Sequence, residues 1–131
     1  MENNNAPCPC GSAFALAACC APFIAGIGAA PSAEALMRSR YSAYVIRNAA
    51  YLLESWHAST RPPALKLDAA QRWLSLEIRR THQGAAGDKT GTVEFVARYK
   101  LRGRRQEIHE ISRFRAELGR WYYVDGIFPN V

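Results

Sequence analysis

Cysteine is absent from most of this sequence, and where it occurs is the first informative feature. All four cysteines lie between residues 8 and 20, and the rest of the 131-residue chain contains none. Disulfide bonds confined to one short segment would constrain little of the chain, so the pattern excludes a disulfide-stapled scaffold. Clustered thiols instead indicate a reducing compartment and a metal site, which predicts a cytoplasmic protein.

The sequence also lacks the short motifs by which common enzyme classes are recognised. It contains no phosphate-binding loop, no dinucleotide-binding glycine pattern and no Ser-His-Asp motif. Internal repeats and low-complexity tails are absent as well, which is consistent with one compact domain. The sequence therefore does not reveal a reaction, and enzymatic activity stays open.

Charged residues are missing from residues 13–30, and this Ala-rich stretch raises the question of export. The segment Leu16-Ala17-Ala18-Cys19 resembles the lipobox of bacterial lipoproteins. However, no basic residue precedes the stretch, and two cysteines lie where a signal peptide needs plain apolar residues. Prolines and glycines inside the stretch also favour a turn-rich loop over a membrane-spanning helix. We therefore predict neither export nor a membrane span.

Composition indicates a compact domain with a small appendage. The hydrophobic fraction of 49% is enough to build a core, and the formal net charge of +6 favours anionic partners only weakly. Five basic residues cluster around one turn, where a solvated sheet edge and a contact with RNA or the ribosome are the two interpretations. They are Arg98, Lys100, Arg102, Arg104 and Arg105.

The second half of the chain has the pattern of consecutive β-strands. Apolar and polar residues alternate over residues 92–101, with Val96 as the exception. Gly103 and Gly119 mark turns, after which residues 107–116 and 121–127 supply two further strands. Residues 73–82 form an earlier strand, with Leu74, Leu76 and Ile78 on one face. The short connections predict a four-stranded antiparallel sheet.

Helical signals precede the sheet. Ser32 is a suitable N-cap for a helix over about 33–47, whose apolar stripe covers the sheet. Shorter helices are predicted over about 49–55 and from Asp68, where Gln71 completes a capping-box pattern. Helices followed by strands predict an α+β fold with helices packed on one face of an antiparallel sheet. The stripe contains Leu36, Met37, Tyr41, Tyr44 and Val45, and Ser42 falls outside it.

The four cysteines, Cys8, Cys10, Cys19 and Cys20, form a C-x-C-x₈-C-C arrangement. Four thiolates at about 2.3 Å from a zinc ion make a closed tetrahedral site, and a turn containing Gly11 lets the two pairs converge. Thiolates are soft ligands that favour zinc over magnesium or calcium. We therefore predict a structural zinc ion, and the alternative is four reduced or incidentally oxidised thiols without a metal.

The cysteine spacing resembles the SEC-C motif, a small zinc-binding module. The likeness continues over nearly the whole chain, and the sequence resembles the YchJ family of largely uncharacterised bacterial proteins. The matching segments are residues 37–44, 51–52, 56–57, 59–62, 109–110 and 121–126, together with Ser112 and Phe114.

This resemblance implies a SEC-C zinc segment at residues 1–30 and a cone-shaped α+β domain at residues 31–131. The cone domain would be like that of nuclear transport factor two, scytalone dehydratase and ketosteroid isomerase. The segment departs from the usual motif, which continues with Gly-Lys and carries an aromatic residue before the last cysteine pair. Here Ala13, Phe14 and Leu16 stand in those places, so a nucleic-acid contact through this segment is not expected.

Cone-shaped domains often enclose a pocket, in which a carboxylate beside apolar walls can act as a base. Along residues 106–116, Glu110 and Ser112 share a strand face with Phe114, whereas His109 lies on the other face. The candidate catalytic residues are Glu110, Asp125, His57 and His109, and the candidate ligand-binding residues are Arg61, Ser112 and Tyr123.

Structural alternatives accompany these assignments. Glu110 would pair with Arg38 or Arg40 from the covering helix, and His57 would anchor its proline-bounded loop through hydrogen bonds. Our first functional hypothesis is a binding module with a pocket for a small molecule or peptide. The alternatives are a lyase or isomerase with Glu110 or Asp125 as base, and an RNA- or ribosome-associated protein.

Overall fold

The computed structural model describes residues 5–129, and its helices precede its strands as the sequence predicts. A 3₁₀ turn at Leu16–Ala18 and helix α1 at Ala21–Ile24 lie in the N-terminal segment, followed by the longer helix α2 at Ala33–Val45 and helix α3 at Ala49–Glu54. The strands are β1 (Gln71–Gln83), β2 (Thr90–Leu101), β3 (Arg104–Glu117) and β4 (Arg120–Ile127). The predicted α+β fold is therefore confirmed.

The four strands form one antiparallel sheet in the order β1-β2-β3-β4. Two-residue turns connect β2 to β3 and β3 to β4, at Arg102-Gly103 and Leu118-Gly119. All four turn residues have positive φ, which is the geometry of type I′ hairpins, and glycine adopts it without steric cost. The predicted antiparallel strands are thus connected by tight turns at the two glycines that the sequence analysis identified.

Helix α2 begins at its predicted cap but ends earlier than predicted. The Oγ atom of Ser32 accepts a hydrogen bond from the Ala35 N–H at 3.1 Å. The helix ends at Val45 rather than near residue 47, because Arg47 has a φ of 59°. Asn48 then caps α3 through its side chain. The chain therefore turns sharply between the two helices.

The helix predicted from Asp68 is not formed, and this prediction was wrong. The Asp68 carboxylate accepts a hydrogen bond from the Ala70 N–H at 2.9 Å, and its carbonyl accepts one from the Gln71 N–H at 3.0 Å. These bonds close a turn that leads directly into β1. Aspartate serves helix caps and turns of this kind alike, so the sequence pattern did not distinguish them.

Strand β1 contains an irregularity that changes which residues face the core. The pairing with β2 shifts register between Trp73 and Ser75. Trp73, Leu76 and Ile78 therefore pack against the core, whereas Leu74, predicted to share that face, is 45% exposed. An alternating pattern assumes an uninterrupted period of two, so it cannot reveal such a bulge.

Helix α2 packs against other elements besides the sheet, which its single apolar stripe does not predict. Leu36, Met37 and Tyr41 pack in the main core as expected. Arg40 and Ser42 are buried as well, because α3 and the N-terminal cysteine segment pack on other sides of α2. The helix thus connects the cysteine segment to the sheet, and a division of the chain at residue 30 stays a prediction.

The loop after α3 covers part of the edge strand β4. Trp56 forms a parallel bridge with Tyr123, and the His57 N–H donates to the Tyr123 carbonyl at 2.7 Å. The Tyr123 N–H in turn donates to the Ser55 carbonyl at 2.9 Å. Across residues 5–129, every helix is too short or too polar to cross a lipid bilayer.

Candidate metal centre and cavity

The first cysteine pair lies on a short hairpin. Pro7 and Ala15 form an antiparallel bridge, and the Cys8 N–H donates to the Phe14 carbonyl at 2.8 Å. The loop between them carries Cys10, whose side chain is buried together with that of Cys8. The hairpin therefore holds two thiols inside the protein although it is only a few residues long.

The second cysteine pair lies between two helical pieces. The Cys19 N–H donates to the Leu16 carbonyl at 3.1 Å and closes the 3₁₀ turn, and Cys20 is the N-cap residue of α1. Adjacent residues of one regular helix point in different directions. The break between the 3₁₀ turn and α1 is what lets both neighbouring sulfur atoms reach the first pair.

The four sulfur atoms all lie within 4.8 Å of one another. A tetrahedral site with metal–sulfur distances of about 2.3 Å places its sulfur atoms about 3.8 Å apart. Here Sγ of Cys19 lies 3.6 Å from Sγ of Cys10 and 3.9 Å from Sγ of Cys20, and none of the four forms a disulfide. The donor set and its spacing therefore fit a tetrahedral thiolate-bound metal ion.

Crowding also changes the acidity of these thiols. Hydrogen bonds from the thiols of Cys20 and Cys8 hold the pKa of Cys10 far below its usual range. The hydrogen bond to Cys10 raises the pKa of Cys20, and burial raises the pKa of Cys19. The four thiols therefore differ in acidity. A divalent cation that binds all four sulfur atoms would displace the protons that remain on them.

Helix α2 and a nearby serine support the cysteine cluster. Oγ of Ser12 lies 3.0 Å from Sγ of Cys19, and Oγ of Ser42 lies 3.5 Å from Sγ of Cys8. Arg38 donates one hydrogen bond to the Cys10 carbonyl at 2.7 Å and another to Glu34 at 2.9 Å. These contacts fix the loop that carries the first pair against the middle of α2.

A second feature is a cavity of about 210 Å³ between α2 and the sheet. Most of its wall is apolar or aromatic, and one carboxylate faces it. Five of its lining residues are half-buried, so the cavity is partly open to solvent; they are Tyr44, Gln71, Trp73, Ile108 and Glu110. The cavity is lined by Met37, Tyr41, Tyr44, Gln71, Trp73, Phe95, Ala97, Ile108 and Glu110.

The Glu110 carboxylate is fixed by two hydroxyl groups on the sheet. Oε2 accepts hydrogen bonds from Ser112 Oγ at 3.0 Å and from the Tyr123 hydroxyl at 2.9 Å. Within residues 5–129, no hydrogen bond or ion pair reaches the other oxygen, Oε1. Burial and the neighbouring Glu110 charge raise the pKa of Tyr123, so this phenol keeps its proton and donates. Three of the predicted site residues are thus brought together.

Neither arginine predicted to pair with Glu110 does so. Arg38 binds the cysteine loop, and Arg40 donates to the Leu52 carbonyl and to Ser55 Oγ, each at 2.7 Å. The Arg40 guanidinium also lies over two aromatic rings, 4.7 Å from the centroid of Tyr123 and 5.1 Å from that of Trp56. The predicted ion pair was wrong because α3 and its loop supply these partners, which helical spacing alone does not show.

Two other candidates lie on the outer face of the sheet, away from the cavity. His109 Nε2 contacts the Glu94 carboxylate at 2.7 Å. Asp125 accepts two hydrogen bonds from Arg113, both at 2.6 Å, and this guanidinium holds the pKa of Asp125 below its usual value. The strand faces predicted for Glu110 and His109 are therefore those observed, and Asp125 does not join Glu110.

His57 is buried in the loop that covers β4. Its Nδ1 accepts from the Ser59 N–H at 3.1 Å and from Ser59 Oγ at 2.7 Å, so its Nε2 carries the proton that is donated to Glu117 at 2.8 Å. The chain Ser59-His57-Glu117 has the composition of a hydrolytic triad. The backbone bond from Ser59 makes the ring a loop anchor, which is the structural role predicted for His57 as the alternative to catalysis.

The remaining candidates are polar surface residues. Arg61 donates to the Trp56 carbonyl at 2.9 Å and so supports the same loop. In the basic cluster, Arg98 is held between Glu77 at 3.1 Å and Glu107 at 3.0 Å, and the nearest carboxylate oxygen to Arg102 is that of Asp68 at 3.6 Å. Contact with RNA or the ribosome through this cluster stays a prediction.

Sequence reasoning missed the cavity wall and the residue that makes room for the carboxylate. The sequence pattern places Tyr41 and Tyr44 only in the helical stripe, and Trp73 only at the start of a strand. Gly126 lies directly opposite Ser112 on β4, where a side chain would collide with Glu110. Glycine inside a strand often marks such a close approach, and this signal was present in the sequence.

This chain, with its N-terminal four-cysteine cluster and α+β domain, is similar to solved SEC-C motif proteins. The solution structure of a SEC-C motif containing protein from Rhodopseudomonas palustris matches with a TM-score of 0.84 and 34% identity, covering 95% of this chain and 100% of that one. A crystal structure of a SEC-C motif containing protein from Psychrobacter arcticus matches with a TM-score of 0.79, covering 100% and 87%. Its 24% identity shows the shared fold alone.

Residues 32–126 match the family described as "YchJ, middle NTF2-like domain". A UPF0225 protein from Chromobacterium violaceum is 51% identical over 126 residues, covering 93% of each chain. A UPF0225 protein from Streptomyces coelicolor is 51% identical over 122 residues, covering 93% of this chain and 95% of that one. This chain therefore belongs to the YchJ family, as the sequence motifs predicted.

Proposed function

We propose that this chain is a small-molecule-binding protein whose N-terminal segment is held on α2 by a structural zinc ion. The cavity between α2 and the sheet takes the ligand. The observation that carries the proposal is the Glu110 carboxylate, which two hydroxyls fix on a mostly apolar and aromatic cavity wall and which forms no ion pair within residues 5–129. We place the protein in the cytoplasm, because a thiolate site needs reduced cysteines.

Zinc is the ion that suits this donor set. Soft thiolates favour it over magnesium or calcium, and four sulfur atoms at tetrahedral spacing leave no coordination position for a substrate. Cys8, Cys10, Cys19 and Cys20 would hold the ion, and its chemistry would be structural rather than catalytic. Elemental analysis of the purified protein should give one zinc per chain.

The zinc proposal has a matched pair of variants. Cys10→Ser should reduce the zinc content to well below one ion per chain, because a serine hydroxyl is a poor ligand at neutral pH. Phe14→Ala changes an exposed side chain of the same loop, so it should keep full zinc content. A protein purified without zinc, and unable to bind added zinc, would overturn this part of the proposal.

The cavity has the features of a ligand site rather than of a packing defect. The Glu110 carboxylate is half-buried, and two hydroxyls fix one of its oxygens while no described group binds the other. Ligand sites combine mostly apolar walls with a few fixed polar groups, as this cavity does. At about 210 Å³ it is smaller than the ~300–1,000 Å³ of drug-sized pockets, so the ligand is small.

A fragment screen by NMR tests the cavity directly. Trp73 lines the cavity, so its indole cross-peak should shift when a small fragment binds, whereas the cross-peak of Trp121, which does not line it, should not. A Met37→Trp variant, which fills the cavity, should abolish the shift. If no fragment of a diverse set shifts the Trp73 cross-peak, the cavity is not a binding site and the proposal fails.

A second candidate function is that of a lyase or isomerase with Glu110 as its base. The observation in its favour is the same carboxylate, whose Oε1 is not bound by any described group. A base of this kind would remove a proton next to a carbonyl, so carbonyl fragments that bind should exchange hydrogen for deuterium in D₂O. If no exchange occurs, or if Glu110→Gln does not reduce it, the lyase or isomerase function is excluded and only the binding function stands.

A further inference from the structure

The charges around the cavity restrict the class of ligand. Among the described residues that line it, Glu110 is the single carboxylate, and no lysine, arginine or histidine side chain lines the cavity. Arg40 is a nearby buried cation whose charge acts on Glu110 and Tyr44. It does not line the cavity, and its guanidinium donates to the Leu52 carbonyl and to Ser55 Oγ. An anionic ligand would find no cation on the wall, whereas a cationic ligand would find a carboxylate.

Aromatic rings line part of the same cavity. The ring centroid of Trp73 lies 5.8 Å from that of Tyr41 and 5.5 Å from that of Tyr44, and all three rings line the cavity. Burial raises the pKa of Tyr41 to about 12 and also raises that of Tyr44, so both phenols are neutral near pH 7. The faces of neutral aromatic rings attract cations, and rings grouped around a small space recognise ammonium groups.

We infer that the cavity binds a small organic cation of the quaternary or methylated ammonium class. Its cationic head would lie against the rings of Tyr41, Tyr44 and Trp73, and Glu110 would balance its charge. This inference rests on the proposed function, because it requires the cavity to be a ligand site. The inference adds the chemical class of the ligand, which the shape of the cavity alone does not determine.

Two ligands of the same shape but different charge test whether the cavity prefers a cation. Choline and 3,3-dimethylbutanol have the same shape, but a carbon atom replaces the charged nitrogen in the second compound. Each is titrated into the full-length protein while the Trp73 indole cross-peak is followed. Choline should bind at least about tenfold more tightly than 3,3-dimethylbutanol, since a desolvated cation gains from both the rings and the carboxylate.

Variants then assign the preference to particular residues. Glu110→Gln should remove most of the preference for choline over 3,3-dimethylbutanol. Glu107→Gln makes the same change of charge on the exposed outer face of β3, where it pairs with Arg98, and should leave the preference intact. If Glu110→Gln does not fold, the half-buried Tyr44→Leu serves instead, since it removes one ring and should weaken choline binding several-fold.

The outcomes distinguish this inference from the proposed function. Equal binding of the two probes, or a choline preference that survives both Glu110→Gln and Tyr44→Leu, overturns the cation inference and leaves a neutral-ligand site. Binding of other fragments without choline binding also overturns it alone. A Trp73 cross-peak that no compound shifts overturns the proposed function, and the cation inference with it.

Discussion

The Glu110 carboxylate occupies the space that a β-carbon on residue 126 would need. Gly126 lies opposite Ser112 in the pairing of β3 with β4, and a β-carbon built there would collide with Oε2 of Glu110. The acid can therefore lie along the sheet and accept hydrogen bonds from Ser112 and Tyr123. The glycine thus creates the polar part of the cavity wall.

Replacing this glycine should displace the acid. We expect Gly126→Ala to lower the free energy of unfolding by about 1–3 kcal/mol, because the carboxylate must move and its two hydroxyl donors lose their acceptor. Chemical denaturation measures the loss. Gly28→Ala, at a glycine with no heavy atom within 4 Å of the added carbon, is the control and should cost far less.

A double-mutant cycle checks the cause. Adding Glu110→Ala to Gly126→Ala removes the collision, so the two effects should not add, and the coupling should be on the order of 1 kcal/mol or more. Strict additivity would show that the glycine is needed for a backbone reason unrelated to the acid.

Metal removal should loosen the N-terminal segment selectively. The thiols of Cys8, Cys10 and Cys20 pack in the same core as Leu36 and Tyr41, so a chelator that removes the ion should expose this part of the core. Hydrogen exchange followed by mass spectrometry should show faster exchange over residues 5–24. Exchange in the hairpin of β3 and β4 should change little, which provides the control within one sample. Equal protection of residues 5–24 before and after chelation would contradict a structural role for the metal.

Arg40 should be among the most sensitive positions for stability. It is buried, donates to Leu52 and Ser55, and lies over the rings of Trp56 and Tyr123. Burial lowers its pKa, but the stacking and hydrogen bonds need the charged planar group. We expect Arg40→Lys to lower the free energy of unfolding by about 2–4 kcal/mol. A lysine ammonium group cannot reproduce both the hydrogen bonds and the ring stacking of the planar guanidinium.

Arg79→Lys is the control for Arg40→Lys. Arg79 pairs with Glu77 on the exposed sheet face, where an ion pair is worth roughly 0–1 kcal/mol. Similar losses for the two variants in chemical denaturation would mean that the buried contacts of Arg40 contribute no special stability.

The pairing of Arg113 with Asp125 should make stability depend on acid pH. The pKa of Asp125 is lower in the folded than in the unfolded chain, so the pair stabilises the fold above the unfolded value of about 3.9. This contribution is lost as the pH falls through the lower, folded value. Both groups are largely exposed, so the effect is small.

Urea midpoints at pH 7 and pH 3 measure this dependence. Arg113→Gln should lose part of the difference in stability between the two pH values. Arg105→Gln removes the same charge from β3 at a residue with no carboxylate partner in residues 5–129, and it should keep the difference. An unchanged difference in Arg113→Gln would show that the pair does not affect folding.

The limits of sequence reasoning follow from particular elements. The positive-φ turns at Gly103 and Gly119 and the alternation along β2 and β3 are local features, so the antiparallel sheet was predicted correctly. The prediction at Asp68 was wrong because the same local pattern occurs at helix caps and at turns. The prediction for Leu74 was wrong because a bulge interrupts the period of two along β1 without changing the composition.

The sequence by itself determined the helices-then-strands order, the antiparallel sheet, the family and the four clustered cysteines. These depend on spacing between residues that are near each other in the chain or on motifs of fixed length. Only the tertiary structure decided that Glu110 is bound by Ser112 and Tyr123 rather than by Arg40. It also decided that Tyr41, Tyr44 and Trp73 line a cavity beside this carboxylate. Partners of this kind come from distant segments, and a residue's chemical type does not say which of several suitable groups the fold will bring within bonding distance.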